Sequence, residues 1–392
     1  MKHWRVRRAA IPAAPRHTPA VALGVLAALS MTACASAEGV GPADAQGPSL
    51  EARLGGSDSD DQTAAVPETP DPSATTAPDP PVEDVTLAVV GDMMFDRKVE
   101  SAIDARGQDA VMADVRDHLR AADFTVGNLE TPLGTGGERA GKRFAFLSDP
   151  ASADILLDGG FDLVTLANNH ILDYGVTAMN STERILDEAG IAHVGVGADE
   201  TAAHEPVIVE IEGQRIAFLG YFQLAAVNSD IDYTTWIAGP QTPGVAWAYP
   251  QVVADDVAQA REEADHVIVL LHSGRELGST ELTDDQQAAG NAALAAGATA
   301  VLGHHPHVLQ GWQSFDDQFV AWSLGNFVFD FPNGTPQSDT AILNLTLDGD
   351  GVKDVSWTPV RIVDTFPQIL DPAGAGQSVM QTLEDLRIGP QE

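Results

Sequence analysis

Short apolar runs alternate with amphipathic stretches from residue 85 to the C-terminal region, and this alternation sets the expected elements. Val85–Val90 (VTLAVV), His266–Leu271 (HVIVLL) and Ala298–Leu302 (ATAVL) are nearly continuous apolar runs, the pattern of strands covered on both faces. Phe124–Val126, Asp162–Ala167, Ala192–Val196, Gln318–Ser323, Ala341–Leu347 and Val355–Arg361 read as further strands. Val207–Ile211 and Arg215–Leu219 flank Glu212-Gly213, which predicts a hairpin. Helical spacing marks Ala110–Ala122, Pro150–Gly159, Val176–Gly190, Gln251–Ala264 and Asp284–Ala296, with a peripheral helix at Gly376–Leu386. Strands and helices alternate first, and strands dominate later. The expectation is an α/β fold with antiparallel additions.

The pattern differs before residue 84. Residues 1–33 are basic, contain no Asp or Glu, and end in the apolar run VALGVLAALSMTA. A charged start, a short apolar middle and small residues before a cleavage point describe a signal peptide, and the apolar run is short for a membrane span. Met31-Thr32-Ala33-Cys34 resembles a bacterial lipobox, so Cys34 is expected to carry lipid and tie the chain to the outer face of the cell membrane. Arg7-Arg8 is a weak match to a twin-arginine signal, and general secretory export fits better. Residues 34–83 are rich in Ala, Pro, Asp, Ser, Gly and Thr, cannot bury a core, and read as a tether. The folded domain is expected over 84–365, with 366–392 as a C-terminal tail. Cys34 is the single cysteine, so no disulfide within the chain supports that domain. The formal net charge is −36, with 57 acidic residues against 21 basic ones, and the leader contributes no acid to it. Such a balance disfavours nucleic acid as a partner.

Polar clusters follow the strands. They are Gly91-Asp92-Met93-Met94-Phe95-Asp96-Arg97, Gly127-Asn128-Leu129-Glu130, Asn168-Asn169-His170 with Asp173 close behind, His272-Ser273-Gly274-Arg275-Glu276, Gly303-His304-His305-Pro306-His307 and Leu324-Gly325-Asn326-Phe327. Each has a plain alternative as a turn or helix cap. Strand ends converge on one edge of an α/β sheet, where they would gather Asp92, Glu130, Asn169, His170, His272, His305 and His307. Carboxylate, imidazole and amide donors suit a divalent ion such as manganese, zinc or iron. In an extended segment residues i and i+2 face the same way, so His305 and His307 can share an ion while Pro306 fixes the backbone and His304 points away. Asp173 can hold the ring of His170. Arg97, Lys142, Arg143 and Arg275 are scarce cations near these motifs, able to receive an anionic group or simply to pair with the abundant carboxylates. Glu276 and Asn326 join them as candidate substrate contacts. His118, His193, His204 and His266 fall outside the motifs and read as structural.

The motifs GDMMFDR, GNLETPL, ANNHILDYG, HSGRE, GHHPHVLQG and SLGNFVFD, in this order, resemble the capsule-synthesis CapA family of poly-γ-glutamate synthesis accessory proteins, from about Val85 to about Arg361. That family is related to the calcineurin-like metallophosphoesterases. The resemblance implies a four-layer αββα sandwich with the site on the sheet edges and one or two metal ions. It also implies Asp92, Asn169, His272, His305 and His307 as ligands, with His170 beside the scissile group. Met94 and Asn128 stand where the wider superfamily has a ligand His and a bridging Asp. Glu130, two residues beyond Asn128, can take the bridging place. Beside a metal-free binding domain whose clusters are only structural, two functions stay open. One is an anchored accessory protein of capsule assembly, working with an anionic polymer and membrane subunits of a polymer synthase. The other is a metal-dependent hydrolase of phosphoesters or of the amides of such a polymer.

Overall fold

The computed structural model describes the backbone of residues 5–8 and residues 82–224, 231–276 and 278–389. Cys34, the apolar run of the leader and the tether up to residue 81 lie outside the described residues. Among the described residues no helix is long and apolar enough to cross a membrane.

Two sheets carry the architecture. The first has seven strands in the order Arg5–Arg8, Val207–Ile211, Gln214–Gln223, His266–Ser273, Ala300–His304, Phe319–Ala321 and Trp312–Ser314. The second runs Phe366–Ile369, Val352–Val363, Asp339–Leu347, Val85–Met93, Phe124–Leu129, Leu163–Thr165 and Ala192–Val194, with Asn326–Val328 paired beside Val85–Met93. At the centre of each sheet the strands are parallel: His266–Ser273 lies between Gln214–Gln223 and Ala300–His304, and Phe124–Leu129 lies between Val85–Met93 and Leu163–Thr165.

Side-chain alternation stacks the layers. Leu87, Val89, Phe124 and Val126 of one sheet meet Phe218, Ile268, Leu270 and Leu302 of the other in a common core. Ala88 and Val90 face the opposite way, into a core with the helices Arg97–Arg106, Arg116–Ala121, Ser152–Gly159 and Gly175–Ala189. Val267, Val269 and Leu271 pack on the helices Pro250–Ala260 and Asp284–Ala295. The result is helix, sheet, sheet, helix, the expected four-layer sandwich.

The hairpin at Glu212-Gly213 forms, with both residues at positive φ (48° and 81°), the requirement of a tight two-residue turn. Two expectations change. Residues 110–122 are not one helix: a 3₁₀ turn ends at Ala110, the chain bends, and only Arg116–Ala121 is α-helical. Val111 and Met112, between the 3₁₀ turn and the helix, are both buried in the core on that side of the sheet. Nor does the chain leave the fold at residue 365. Phe366–Ile369 pairs with Val352–Val363, and the helix Gln377–Asp385 buries Val379 and Leu383 in the core between the sheets.

Candidate metal centre

Both sheets present strand ends to one buried cluster. Asp92 closes Val85–Met93, Glu130 follows Phe124–Leu129, and Asn168, Asn169, His170 and Asp173 follow Leu163–Thr165. His272 lies near the end of His266–Ser273, and His305 and His307 follow Ala300–His304. All of them are buried.

The tightest positioning is by short hydrogen bonds. Asn168 Oδ1 accepts from the backbone N–H groups of His170 and Ile171, so its Nδ2 donates to Asn128 Oδ1 (3.0 Å) and to the Leu129 carbonyl (2.8 Å). With its oxygen thus engaged, Asn128 presents its Nδ2 to Asp92 Oδ1 at 2.8 Å and lies 3.2 Å from His272 Nδ1. Asn128 therefore braces Asp92 and is not placed as a ligand. Asp92 Oδ2 accepts from the His305 N–H (3.2 Å) and faces His307 Nδ1 at 3.4 Å. Asn169 Oδ1 and His305 Nδ1 stand 2.9 and 3.1 Å from His272 Nε2.

Glu130 is the exception. Both of its oxygens are buried and neither has a hydrogen-bond partner. Its Oε1 lies 3.8 Å from each of three imidazole nitrogens, the Nε2 atoms of His170, His272 and His307. A buried carboxylate with no donor is costly. Two ligand atoms that each sit about 2.1 Å from an ion are separated by roughly 3–4 Å. Glu130 with His272 and His305, and Glu130 with Asp92 and His307, have ligand atoms within 4.8 Å of one another. The donor set fits a divalent cation, and Glu130 belongs to both groups.

Electrostatics follow from burial. Burial, with Asp92 and Glu276 adding like charge, pushes the Glu130 carboxyl well above its ordinary range. Burial also raises Asp92, but His307 outweighs it and holds Asp92 low. Burial lowers His307, and the Asp92 carboxylate reverses that. Burial and then His307 take His305 down to about 3, and burial and the Lys142 ammonium take His170 down to about 4.

Beside the cluster, His170 Nδ1 is 2.6 Å from Asp173 Oδ2, and Lys142 Nζ is 2.5 Å from Asp173 Oδ1. Lys142 also donates to the Asn169 carbonyl and lies over the Tyr233 and Trp236 rings at 5.5 and 5.2 Å. This expected substrate cation is instead a buried tie between the loop and Asp173. Asn326 is likewise not free for substrate. It is buried, its Oδ1 is 2.8 Å from His307 Nδ1, and its Nδ2 donates to the His307 and Gln337 carbonyls. Glu276 lies 4.0 Å from His307 Nε2 with its side chain 44% exposed, at the mouth of the site. Arg275 turns to Glu281 (3.7 Å), and Arg97 pairs with Asp330 (2.9 Å). Met94 is fully buried, with its sulfur 3.0 Å from the Asp96 amide. His304 Nε2 reaches the Val90 carbonyl of the other sheet at 3.2 Å, so it links the sheets. His118, His193, His204 and His266 pair away from the site, with Asn344, Asp187, Asp256 and Gln214. The aromatic wall of Tyr233 and Trp236 was not read from the sequence; their position depends on packing between distant segments.

Residues 86–331 match the model of the bacterial capsule synthesis protein PGA_cap family, and the chain belongs to that family. It is 31% identical over 286 residues to the PGA biosynthesis protein CapA of Bacillus subtilis (strain 168), covering 72% of this chain and 73% of that one. It is 30% identical over 294 residues to the capsule biosynthesis protein CapA of Bacillus anthracis, covering 73% and 69%. Among solved structures it is similar to the calcineurin-like phosphoesterase YfkN from Bacillus subtilis, with a TM-score of 0.42 and 17% identity over 78% of this chain and 97% of that one.

Proposed function

We propose that this chain is a cell-surface accessory protein of capsular poly-γ-glutamate assembly whose strand-end cluster holds a divalent metal ion. The polymer is inferred from the names of the relatives, one a PGA biosynthesis protein and one a capsule biosynthesis protein. The metal is inferred from one observation, the buried Glu130 carboxylate without a hydrogen bond among three imidazoles. Asp92, Glu130, Asn169, His272, His305 and His307 are the proposed ligands, and their mixed oxygen and nitrogen donors suit manganese, zinc or iron. Lipidation at Cys34 is the proposed attachment to the membrane, beside the membrane subunits of a polymer synthase.

Hydrolysis of an anionic polymer or a phosphoester is the second reading, favoured by the His170–Asp173 pair. A divalent ion bound here supplies Lewis acidity to a carbonyl or phosphoryl oxygen. The short contact from Asp173 fixes the proton of a neutral His170 on Nδ1 and orients the ring. His170 Nε2 is then the atom that faces the cluster, placed to exchange a proton with a leaving group. Stacking of Phe146 on the ring at 4.1 Å keeps water from that face.

Metal analysis of the full chain purified without chelator tests the first reading. The wild type is expected to retain one or two ions, and Glu130→Gln, the same size without the charge, to retain almost none. A metal-free wild type overturns the metal assignment. Release of shorter chains from poly-γ-glutamate, abolished in His170→Ala, would establish the hydrolase.

A further inference from the structure

A basic and aromatic strip borders the cluster on the loop 135–147, which has no regular secondary structure. The loop's inner edge is fastened to the residue that orients His170. The Ala140 N–H donates to the Asp173 carbonyl and the Phe146 N–H to Asp173 Oδ2, each at 2.7 Å, and Lys142 pairs with Asp173 Oδ1. Beyond Phe146, the Leu147 N–H donates to Asp96 Oδ2 at 2.9 Å. The loop is therefore a fixed platform.

Its outer edge is exposed and alternates charge with rings. The Arg143 guanidinium lies 4.9 Å from the centre of the Phe144 ring, and Phe144 is 44% exposed. Arg97 sits 5.4 Å from the Phe144 ring and 5.4 Å from the Phe146 ring, while Phe146 stacks on His170. Cation and ring thus alternate without a break from the surface to His170. Arg97 holds a left-handed backbone conformation (φ 61°), and Asp330 takes one side of its guanidinium. On a chain of net charge −36, an anionic ligand is repelled by most of the surface. Glu276, on the His307 side of the mouth, repels it too.

We propose that this strip is the binding track for a chain of carboxylates joined by short segments of two methylenes and an amide. The assignment rests on the polymer reading above and adds the side from which the polymer enters. Arg143 and Arg97 take successive carboxylates, Phe144 packs against the methylenes, and the chain is led past Phe146 to His170. Arginine suits the task because its planar fork accepts a carboxylate through two donors while its face stacks on a ring.

The test is fluorescence anisotropy of labelled poly-γ-glutamate with the full chain at low and raised salt, with metal content measured on the same samples. Arg143→Gln and Phe144→Ala are expected to weaken binding about threefold each, and Arg143→Glu about tenfold, with the loss shrinking as salt rises. These side chains are exposed, so the variants fold. Wild-type affinity in Arg143→Glu overturns the track, as does displacement by inorganic polyphosphate more effective than by unlabelled poly-γ-glutamate. A metal-free chain whose binding is still lost in Arg143→Glu supports the track and overturns the metal reading. A metal-loaded chain indifferent to Arg143→Glu does the reverse.

Discussion

His305 and His307 show how a residue pattern can lead to the right place by a different route. Their spacing predicts an extended segment with both rings on one side. The backbone is not extended: His305 stands at φ 98° and His307 at φ 58°, on either side of Pro306. Left-handed conformations outside glycine cost of order 1–3 kcal/mol each and persist only where neighbours enforce them. Asp92 holds the His305 N–H, and Asn326 holds both the carbonyl and the ring of His307. The residues that gather at the strand ends were legible from the sequence. The backbone that aims them was not, because its restraints come from residues far along the chain. Asn326→Ala is therefore expected to keep the fold but lower metal affinity at least tenfold, the usual effect of removing a group that orients a ligand. Titration calorimetry with Zn²⁺ or Mn²⁺, beside a near-ultraviolet circular dichroism spectrum, checks both parts.

At the scale of elements, the site depends on strands crowding together. A Cβ on Gly303 would run into the Trp322 carbonyl oxygen, and one on Gly91 into that of Gly325. Gly91 stands directly before Asp92 and Gly303 two residues before His305, so the close approach seats Asp92 and the histidine loop at their depth. Gly303→Ala should destabilise the domain by roughly 1–3 kcal/mol, as overpacking does, and reduce metal retention. Thermal melting with and without chelator measures it. The apolar runs that became central strands were plain in the sequence because burial on both faces leaves no polar position. The helix Arg97–Arg106, capped by Asp96 and ended by Gly107, has a weak sequence signal because its cap and first residue belong to the polar motif Gly91–Arg97 and Val99 is its one fully buried residue. Short strands such as Asn326–Val328 carry too few residues for any period to show, and pairing alone defines them.

For the whole molecule, buried neutral histidines tie stability to pH. His170 and His305 titrate at about 4 and about 3 in the fold, below the ordinary 6.5. The unfolded chain takes up these protons first. The stability they contribute is complete above pH 6.5 and falls as the pH drops from 6.5 towards 4. Glu130 and His307, whose carboxyl and ring are raised in the fold, act in the opposite direction, so the check is a comparison: in chelator, the change in urea midpoint from neutrality to about pH 5 should be less destabilising in His305→Gln than in the wild type, and an identical change would contradict the neutral assignment.

The division of the cluster between the sheets has a mechanical consequence. Asp92, Glu130 and Asn169 come from one sheet and His272, His305 and His307 from the other, with His304 bonded across the gap. An ion held by both sets would rivet two halves that otherwise adhere at that edge through apolar packing and a few hydrogen bonds, such as that from the His305 N–H to Asp92 Oδ2. Its binding free energy then becomes part of the cohesion of the sandwich. With the proposed ion, such a protein would stiffen fully only where the ion is supplied, and the supply of the ion, not the chain by itself, would complete its assembly.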